Sequence, residues 1–211
     1  MASQKSRTQK SPAAAVEPKR QRGRDRVAAI MDAGAAIFTE KGYEAATMTE
    51  IAAKSGAAIG SLYRFFPTKE ALADALVARY GESLLGAFAD VEARAGELSP
   101  DALAGALIEM MQSVQPSRAV AVALAETRRD LEKRSTLRGA VRAGIAAILL
   151  KTAPTLAPDE RHAAATLLQH LLKFIRALPS EDAAADARLA LEARALVARY
   201  LAGLVGGPGG G

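Results

Sequence analysis

Along most of this chain, apolar residues recur at intervals of three and four, and no stretch sustains an alternation of apolar and polar residues. The first pattern gives a helix one apolar face, whereas a half-buried strand needs the second. The sequence therefore predicts an all-α protein without a sheet. The expected helices cover about residues 26–41, 47–55, 59–65, 69–92, 100–114, 117–132, 134–152, 159–178 and 182–205.

The composition excludes several classes of chemistry. Without cysteine there is no disulfide, thiolate metal site or thiol nucleophile, and two histidines are too few for a His-rich metal centre. The chain contains no Gly-rich phosphate loop, GxSxG or HExxH element. No apolar run approaches the roughly 20 residues that span a bilayer, and no secretory signal is visible. We therefore expect a cytoplasmic protein that is not an enzyme and needs no metal or cofactor.

The positive charge is concentrated at the N-terminus. The net charge is +5, yet residues 1–24 carry seven lysines and arginines against one acid, Glu17, so the rest of the chain is close to neutral. Residues 1–23 also contain almost no bulky apolar side chains, which predicts a disordered basic arm. Such an arm either keeps the protein soluble or binds phosphate groups of a nucleic acid.

Residues 44–66 have the pattern of two short helices joined by a tight turn at Gly56-Ala57-Ala58. This is the helix-turn-helix pattern, although an ordinary helical hairpin has the same outline. In a helix-turn-helix, the start of the second helix lies nearest the base edges of the major groove. The residues expected to face DNA are Ala58, Ile59, Gly60, Ser61 and Arg64, while Leu62 and Phe66 are expected in the core.

Three sequence elements make this segment more specific than a generic hairpin. They are AAIFTEKGY (residues 35–43), TMTEIA (47–52) and GSLYRFFPTKEAL (60–72). Together they resemble the DNA-binding domain of the TetR/AcrR family of transcriptional regulators, over roughly the first third of the chain. The resemblance implies a ligand-responsive repressor that binds a near-palindromic operator in double-stranded DNA as a homodimer.

The resemblance also assigns roles to particular residues. Tyr63 and Lys69 match positions that commonly hold phosphates, and Thr47 and Thr49 match the start of the first motif helix. The arm residues match positions that reach a minor groove or flanking phosphates; they are Arg20, Arg22 and Arg24. Ala58 and Ile59 depart from the family's usual polar residues, which predicts a weak helix cap and apolar readout.

The domain boundaries follow from the same reading. We expect the arm (1–23), a three-helix DNA-binding domain (24–68), a helical effector-binding and dimerisation domain (69–205) in which helix 69–92 connects the two, and a flexible Gly-rich tail (206–211). The two last helices carry wide apolar stripes, which fit either a protomer core or a four-helix dimer interface. The interface residues expected there are Leu167, Leu171, Ile175, Leu196, Tyr200 and Leu201.

An effector pocket is implied among the middle helices, where paired methionines suit an adaptable cavity but equally an ordinary core. The residues assigned to it are Met110, Met111, Gln115, Leu124, Thr127, Arg128 and His170. The alternative to a regulator is a helical adaptor protein that does not bind DNA specifically.

Overall fold

The computed structural model describes residues 21–114, 120, 121, 123, 124, 131–176 and 183–206. Every regular element in these ranges is helical. The helices are α1 (Gln21–Ala45), α2 (Met48–Ser55), α3 (Ile59–Phe65), α4 (Lys69–Arg94), a 3₁₀ turn (Ala95–Glu97), α5 (Pro100–Ser113), α6 (Leu131–Thr152), α7 (Pro158–Arg176) and α8 (Ala183–Gly206).

The chain divides into two compact units. The first comprises Met1–Arg79 with Ala119–Arg128, and the second comprises Tyr80–Arg118 with Arg129–Gly211. The first unit contains α1 to α3 and the beginning of α4, and the second contains the remainder of α4 with α5 to α8. In the ranges that the structure describes, no helix is both long and apolar enough to cross a lipid bilayer.

The first unit is built around fully buried aliphatic and aromatic side chains. Each of the four helices contributes one residue that is entirely shielded from solvent: Ile30 of α1, Ile51 of α2, Leu62 of α3 and Leu72 of α4. Gly34 allows α1 to approach α4 closely, because a Cβ atom at this position would lie 2.9 Å from Leu72 Cδ2. This shared core holds α2 and α3 in fixed orientation.

Local signals fix the helix ends of this unit. Gly42 adopts φ 78° and interrupts the helical geometry of α1, as its Lys-Gly stop predicted. Gly56 ends α2 in the left-handed conformation, where its N–H donates to Ala52 O and Ala53 O. Glycine adopts this conformation without the steric cost that a side chain brings.

Two predicted boundaries were wrong. The structure is already helical at Gln21, whereas the apolar pattern begins only near residue 26. Side-chain hydrogen bonds support this polar first turn: Gln21 Nε2 donates to Asp25 Oδ1 over 2.7 Å, and Arg24 donates to Gln21 Oε1. The break expected at Arg134-Ser135 is also wrong, since α6 runs through it.

The second unit packs α5 against α8 and α6 against α7. Ser99 caps α5 by accepting from Ala102 N, and Pro100 occupies its first turn, as predicted. Arg194 of α8 donates two hydrogen bonds to Asp101 at the start of α5, over 3.1 and 2.6 Å. The Asp101 carboxylate raises the pKa of Arg194. Most of the predicted helix 117–132, the arm residues 1–20 and the tail 207–211 lie outside the described residues.

Candidate nucleic-acid interface

The short helix α3 has one exposed and one buried face. Ile59 and Tyr63 are 43% and 47% exposed, and Gly60 and Arg64 are also exposed. Leu62 and Phe65 on the other face are buried, together with Phe66 directly after the helix. The predicted core positions of Leu62 and Phe66 are thus confirmed, and four outward residues are left for recognition. We call Ile59, Gly60, Tyr63 and Arg64 the outer face of α3.

The start of α3 has no side-chain cap. Ala58 adopts extended backbone geometry, and its carbonyl accepts from Ser61 N and Leu62 N, but its methyl group satisfies none of the free N–H groups. The weak cap that the sequence predicted is therefore confirmed. Because no side chain covers these N–H groups, the first turn of α3 leaves donors for another molecule.

Arg64 carries the only charge of the outer face. Its guanidinium carbon lies 4.7 Å from the centroid of the Phe65 ring, within the range of a cation–π interaction. A planar guanidinium at an exposed position suits bidentate hydrogen bonding to a base edge or a phosphate.

Ser61 does not belong to the outer face, contrary to the prediction from the sequence. Its Oγ is buried and has no hydrogen-bond partner. Ser61 lies one turn before the buried Phe65 on the same side of α3, and its hydroxyl is turned toward the interior. It cannot contact a base edge in this conformation.

The start of α2 is held by a capping box, as the Thr-x-x-Glu spacing predicted. Thr47 Oγ1 accepts from Glu50 N over 3.3 Å, and Glu50 Oε2 accepts from Thr47 N and from the Thr47 hydroxyl over 3.0 and 2.8 Å. Lys41 Nζ lies 2.6 Å from Glu50 Oε1. The hydrogen bonds from Lys41 and Thr47 lower the pKa of Glu50 to about 2.

This capping box changes the role expected of Thr47. Its hydroxyl donor is already committed to Glu50, so Thr47 cannot donate to a phosphate without breaking the cap. Thr49, two residues further along the chain and exposed, has a hydroxyl on the surface of α2. Of the two threonines assigned by resemblance, the geometry favours Thr49 as a backbone contact.

Lys69 also differs from its expected role. Its ammonium donates to the carbonyl oxygens of Tyr43, Glu44 and Ala46 over 2.7, 3.1 and 3.1 Å. It also lies 4.6 Å from the centroid of the Tyr43 ring. An ammonium has three N–H donors, and all three have partners inside the protein.

The first turns of α1 form one side of a cationic groove, and the sequence predicted only some of its residues. The groove has a volume of about 330 Å³ and lies between α1 and the α2–α3 turn. Arg22 was predicted, but Arg26, four residues further along the same helix face, was not; the spacing of four could have revealed it. Arg24 bonds to Gln21, and Arg20 lies outside the described residues. The groove is lined by Arg22, Asp25, Arg26, Ala29, Ser55, Gly56 and Ala57.

The interface residues expected on the two last helices divide into two sets. Leu167 and Leu196 are 45% and 46% exposed, and Leu171, Ile175 and Tyr200 are half-buried. Leu201 is only 1% exposed, so it belongs to the protomer's own core and the prediction for it was wrong. Phe174, which is 64% exposed, was missed although it continues the stripe of Leu167 and Leu171.

The residues expected in an effector pocket are only partly described. Met110, Met111 and Leu124 are buried. His170 is exposed on α7, so its assignment to an internal pocket was wrong. Gln115, Thr127 and Arg128 lie outside the described residues.

Comparison with known proteins gives a match over the segment that contains α2 and α3. Residues 30–76 match the model of the bacterial regulatory proteins of the tetR family. The chain is 33% identical over 64 residues to the transcriptional repressor KstR2 of Rhodococcus jostii, an alignment that covers 30% of this chain and 31% of that protein. Over 46 residues it is 46% identical to the repressor KstR of Mycolicibacterium smegmatis, covering 22% of each. The chain spans less than a third of the length of these relatives.

The similarity of fold extends further along the chain. The TetR-family regulator PfmR from Thermus thermophilus superposes with a TM-score of 0.59 at 21% identity. The superposition covers 83% of this chain and 98% of PfmR. Both units of the chain therefore share the helical fold of a solved regulator.

Proposed function

We propose that this member of the TetR family of bacterial regulatory proteins is a transcriptional repressor that reads the major groove with the outer face of α3. The observation that carries the proposal is the division of α3: Leu62 and Phe65 anchor it in the core, while Ile59, Gly60, Tyr63 and Arg64 remain accessible. A helix supported in this way can enter a groove without unfolding its own domain.

Each outer residue has a chemically suitable partner on DNA. Arg64 can donate two hydrogen bonds to guanine O6 and N7, and Ile59 can pack against the C5-methyl group of thymine. Gly60 lacks a side chain, and a Cβ built there meets nothing within 4 Å, so the backbone can approach the bases. Tyr63 and Thr49 offer hydroxyl groups to phosphates, and Arg22 and Arg26 add positive charge beside the α2–α3 turn.

We also propose that the protein acts as a homodimer on a near-palindromic operator. Leu167, Leu171 and Phe174 follow each other at spacings of four and three on α7, and Leu189, Leu196 and Tyr200 form a comparable stripe on α8. The two helices pack together within the second unit, and both stripes keep apolar surface exposed in the single chain. A two-fold axis would cover this surface with its own copy.

We further propose that a small molecule bound in the second unit weakens repression. Met110 and Met111 of α5 are buried, and their flexible side chains can adapt to an apolar ligand. A ligand that binds more tightly to a conformation with one particular spacing of the two DNA-binding domains shifts the dimer toward that spacing. If that spacing does not match successive major grooves, the operator is released.

Selection from a random duplex library tests this function directly. The full chain is incubated with the library at near-physiological salt, and bound duplexes are sequenced after several rounds. We expect inverted half-sites whose centres lie about 10 base pairs apart, or a multiple of that distance. Enrichment of no sequence above competitor DNA would contradict the proposal and favour an adaptor protein.

A further inference from the structure

Lys69, the first residue of α4, lies where the end of α1 meets the beginning of α2. The residue is half-buried, and its ammonium donates to three backbone carbonyls from residues 43 to 46. Carbonyl groups at the end of a helix have no partner within that helix. Lys69 therefore supplies donors to acceptors that α1 leaves unsatisfied at this corner.

Neighbouring side chains add to these three hydrogen bonds, and we call the whole set of contacts around Lys69 the clamp. The Tyr43 ring lies beneath the Lys69 ammonium at 4.6 Å, and the Tyr43 hydroxyl donates to Glu70 Oε1 over 2.9 Å. Two consecutive residues of α4 thus hold one aromatic residue from the end of α1. A cation at the N-terminal end of a helix is unfavourable by itself, so these acceptors also explain why a lysine is tolerated there.

We infer that Lys69 is a positioning residue for DNA binding and not a phosphate contact. By fixing the α1–α2 corner to the first turn of α4, it holds the start of α2 and the adjacent α3 in the orientation that reading a groove requires. The inference rests on the proposed function, and it reverses the role that sequence resemblance gives to this lysine.

Two substitutions distinguish positioning from phosphate contact. Lys69→Met removes the charge and the donors, whereas Lys69→Arg keeps the charge but replaces a compact ammonium with a planar guanidinium. Such a fork suits phosphate oxygens well but cannot converge on three carbonyls at one point. A phosphate-binding lysine tolerates arginine, and the lysine of this clamp does not.

The experiment measures the affinity of each variant for the duplex that the wild-type chain selects most strongly, as a function of salt concentration. We expect both variants to lose about tenfold or more in affinity and to unfold at lower temperature. The slope of log affinity against log salt should stay at the wild-type value. Lys151→Met, on the exposed surface of α6, is the matched control and should change none of these values.

Other outcomes overturn the inference. A slope that falls by about 0.9 for each protomer bound in Lys69→Met, with wild-type affinity in Lys69→Arg, identifies a phosphate contact. Wild-type affinity in both variants means that the clamp does not position the reading helix. If Lys69→Met fails to fold, the affinity and the salt slope of Lys69→Arg distinguish positioning from phosphate contact. The wild-type titration is made first, so failure of the proposed function itself is seen as absence of specific binding before any variant is compared.

Discussion

At the scale of single residues, the outer face of α3 combines one charged, one aromatic, one aliphatic and one side-chain-free position. This mixture assigns different tasks to neighbouring residues, because only Arg64 can form a bidentate hydrogen bond to a base. Its guanidinium lies 4.7 Å from the centroid of the Phe65 ring, and the residue is exposed to solvent. Sequence specificity is therefore expected to depend strongly on Arg64.

Arg64→Ala should weaken binding to the selected duplex by about 1–3 kcal/mol per half-site, because a guanine loses its partner. Binding to random-sequence DNA should fall much less. Fluorescence anisotropy with both duplexes measures the two values, and Arg94→Ala, an exposed arginine in the second unit, serves as the control. Equal losses on both duplexes would make Arg64 a phosphate contact.

Ser61→Ala should leave DNA affinity unchanged and should not lower the free energy of unfolding. The Ser61 hydroxyl is buried without a partner, so removing it relieves a desolvation cost instead of breaking a hydrogen bond. Chemical denaturation and DNA titration of the variant measure both quantities. A tenfold loss of affinity would show that the hydroxyl turns outward to reach DNA.

At the scale of elements, α2 is joined to the end of α1 through Glu50. One carboxylate completes the capping box with Thr47 and pairs with Lys41, so the orientation of α2 depends on a charged group. The pKa of Glu50 is lowered from 4.5 to about 2 in the folded protein. A lowered folded-state pKa means that the carboxylate stabilises the fold above its unfolded pKa, and that this contribution disappears as the pH falls from about 4.5 toward 2.

Glu50→Gln should therefore reduce the melting temperature near neutral pH and have progressively less effect as the pH approaches 2. Thermal unfolding followed by circular dichroism across this pH range measures the difference. Glu97→Gln removes an exposed carboxylate from the 3₁₀ turn and is the control. A constant difference between wild type and Glu50→Gln from neutral to acidic pH would contradict the assigned contribution.

Local patterns in the sequence predicted most helix ends, because a cap depends on residues three or four positions apart. The Thr47–Glu50 box, the Gly56 stop and the Ser99 cap are examples. The role of Lys69 could not be predicted in this way, since its three acceptors lie 23 to 26 residues earlier in the chain. For the same reason the sequence did not separate Leu196 from Leu201: both continue one apolar helix, and only packing within the fold decides which of them is covered.

At the scale of the whole molecule, the exposed apolar stripes of α7 and α8 decide the assembly that we propose. Leu196→Glu places an unpaired charge where a two-fold interface would bury it, once from each protomer, at a cost of several kcal/mol. The protomer itself should remain folded, because Leu196 is half exposed in the single chain. We expect a helical monomer that has lost specific binding to the selected duplex.

Sedimentation velocity and circular dichroism measure this outcome. Leu201→Glu is the informative contrast: it puts the same charge into the protomer core, so helical signal should be lost together with assembly. Leu150→Glu alters an equally exposed leucine on α6 and should leave the dimer intact. A Leu196→Glu protein that stays dimeric would place the interface elsewhere.

The exposed aliphatic side chain of Ile59 has a consequence for chemically modified DNA. An apolar contact detects the methyl group at C5 and is indifferent to whether the ring beneath it is thymine or 5-methylcytosine. Deoxyuridine pairs as thymine does but lacks this methyl group, so its substitution at the contacted position should weaken binding without altering any hydrogen bond. Conversely, enzymatic methylation of a cytosine at that position would give Ile59 a methyl group to contact, and the protein's choice of site would then depend on the modification state of the genome as well as its sequence.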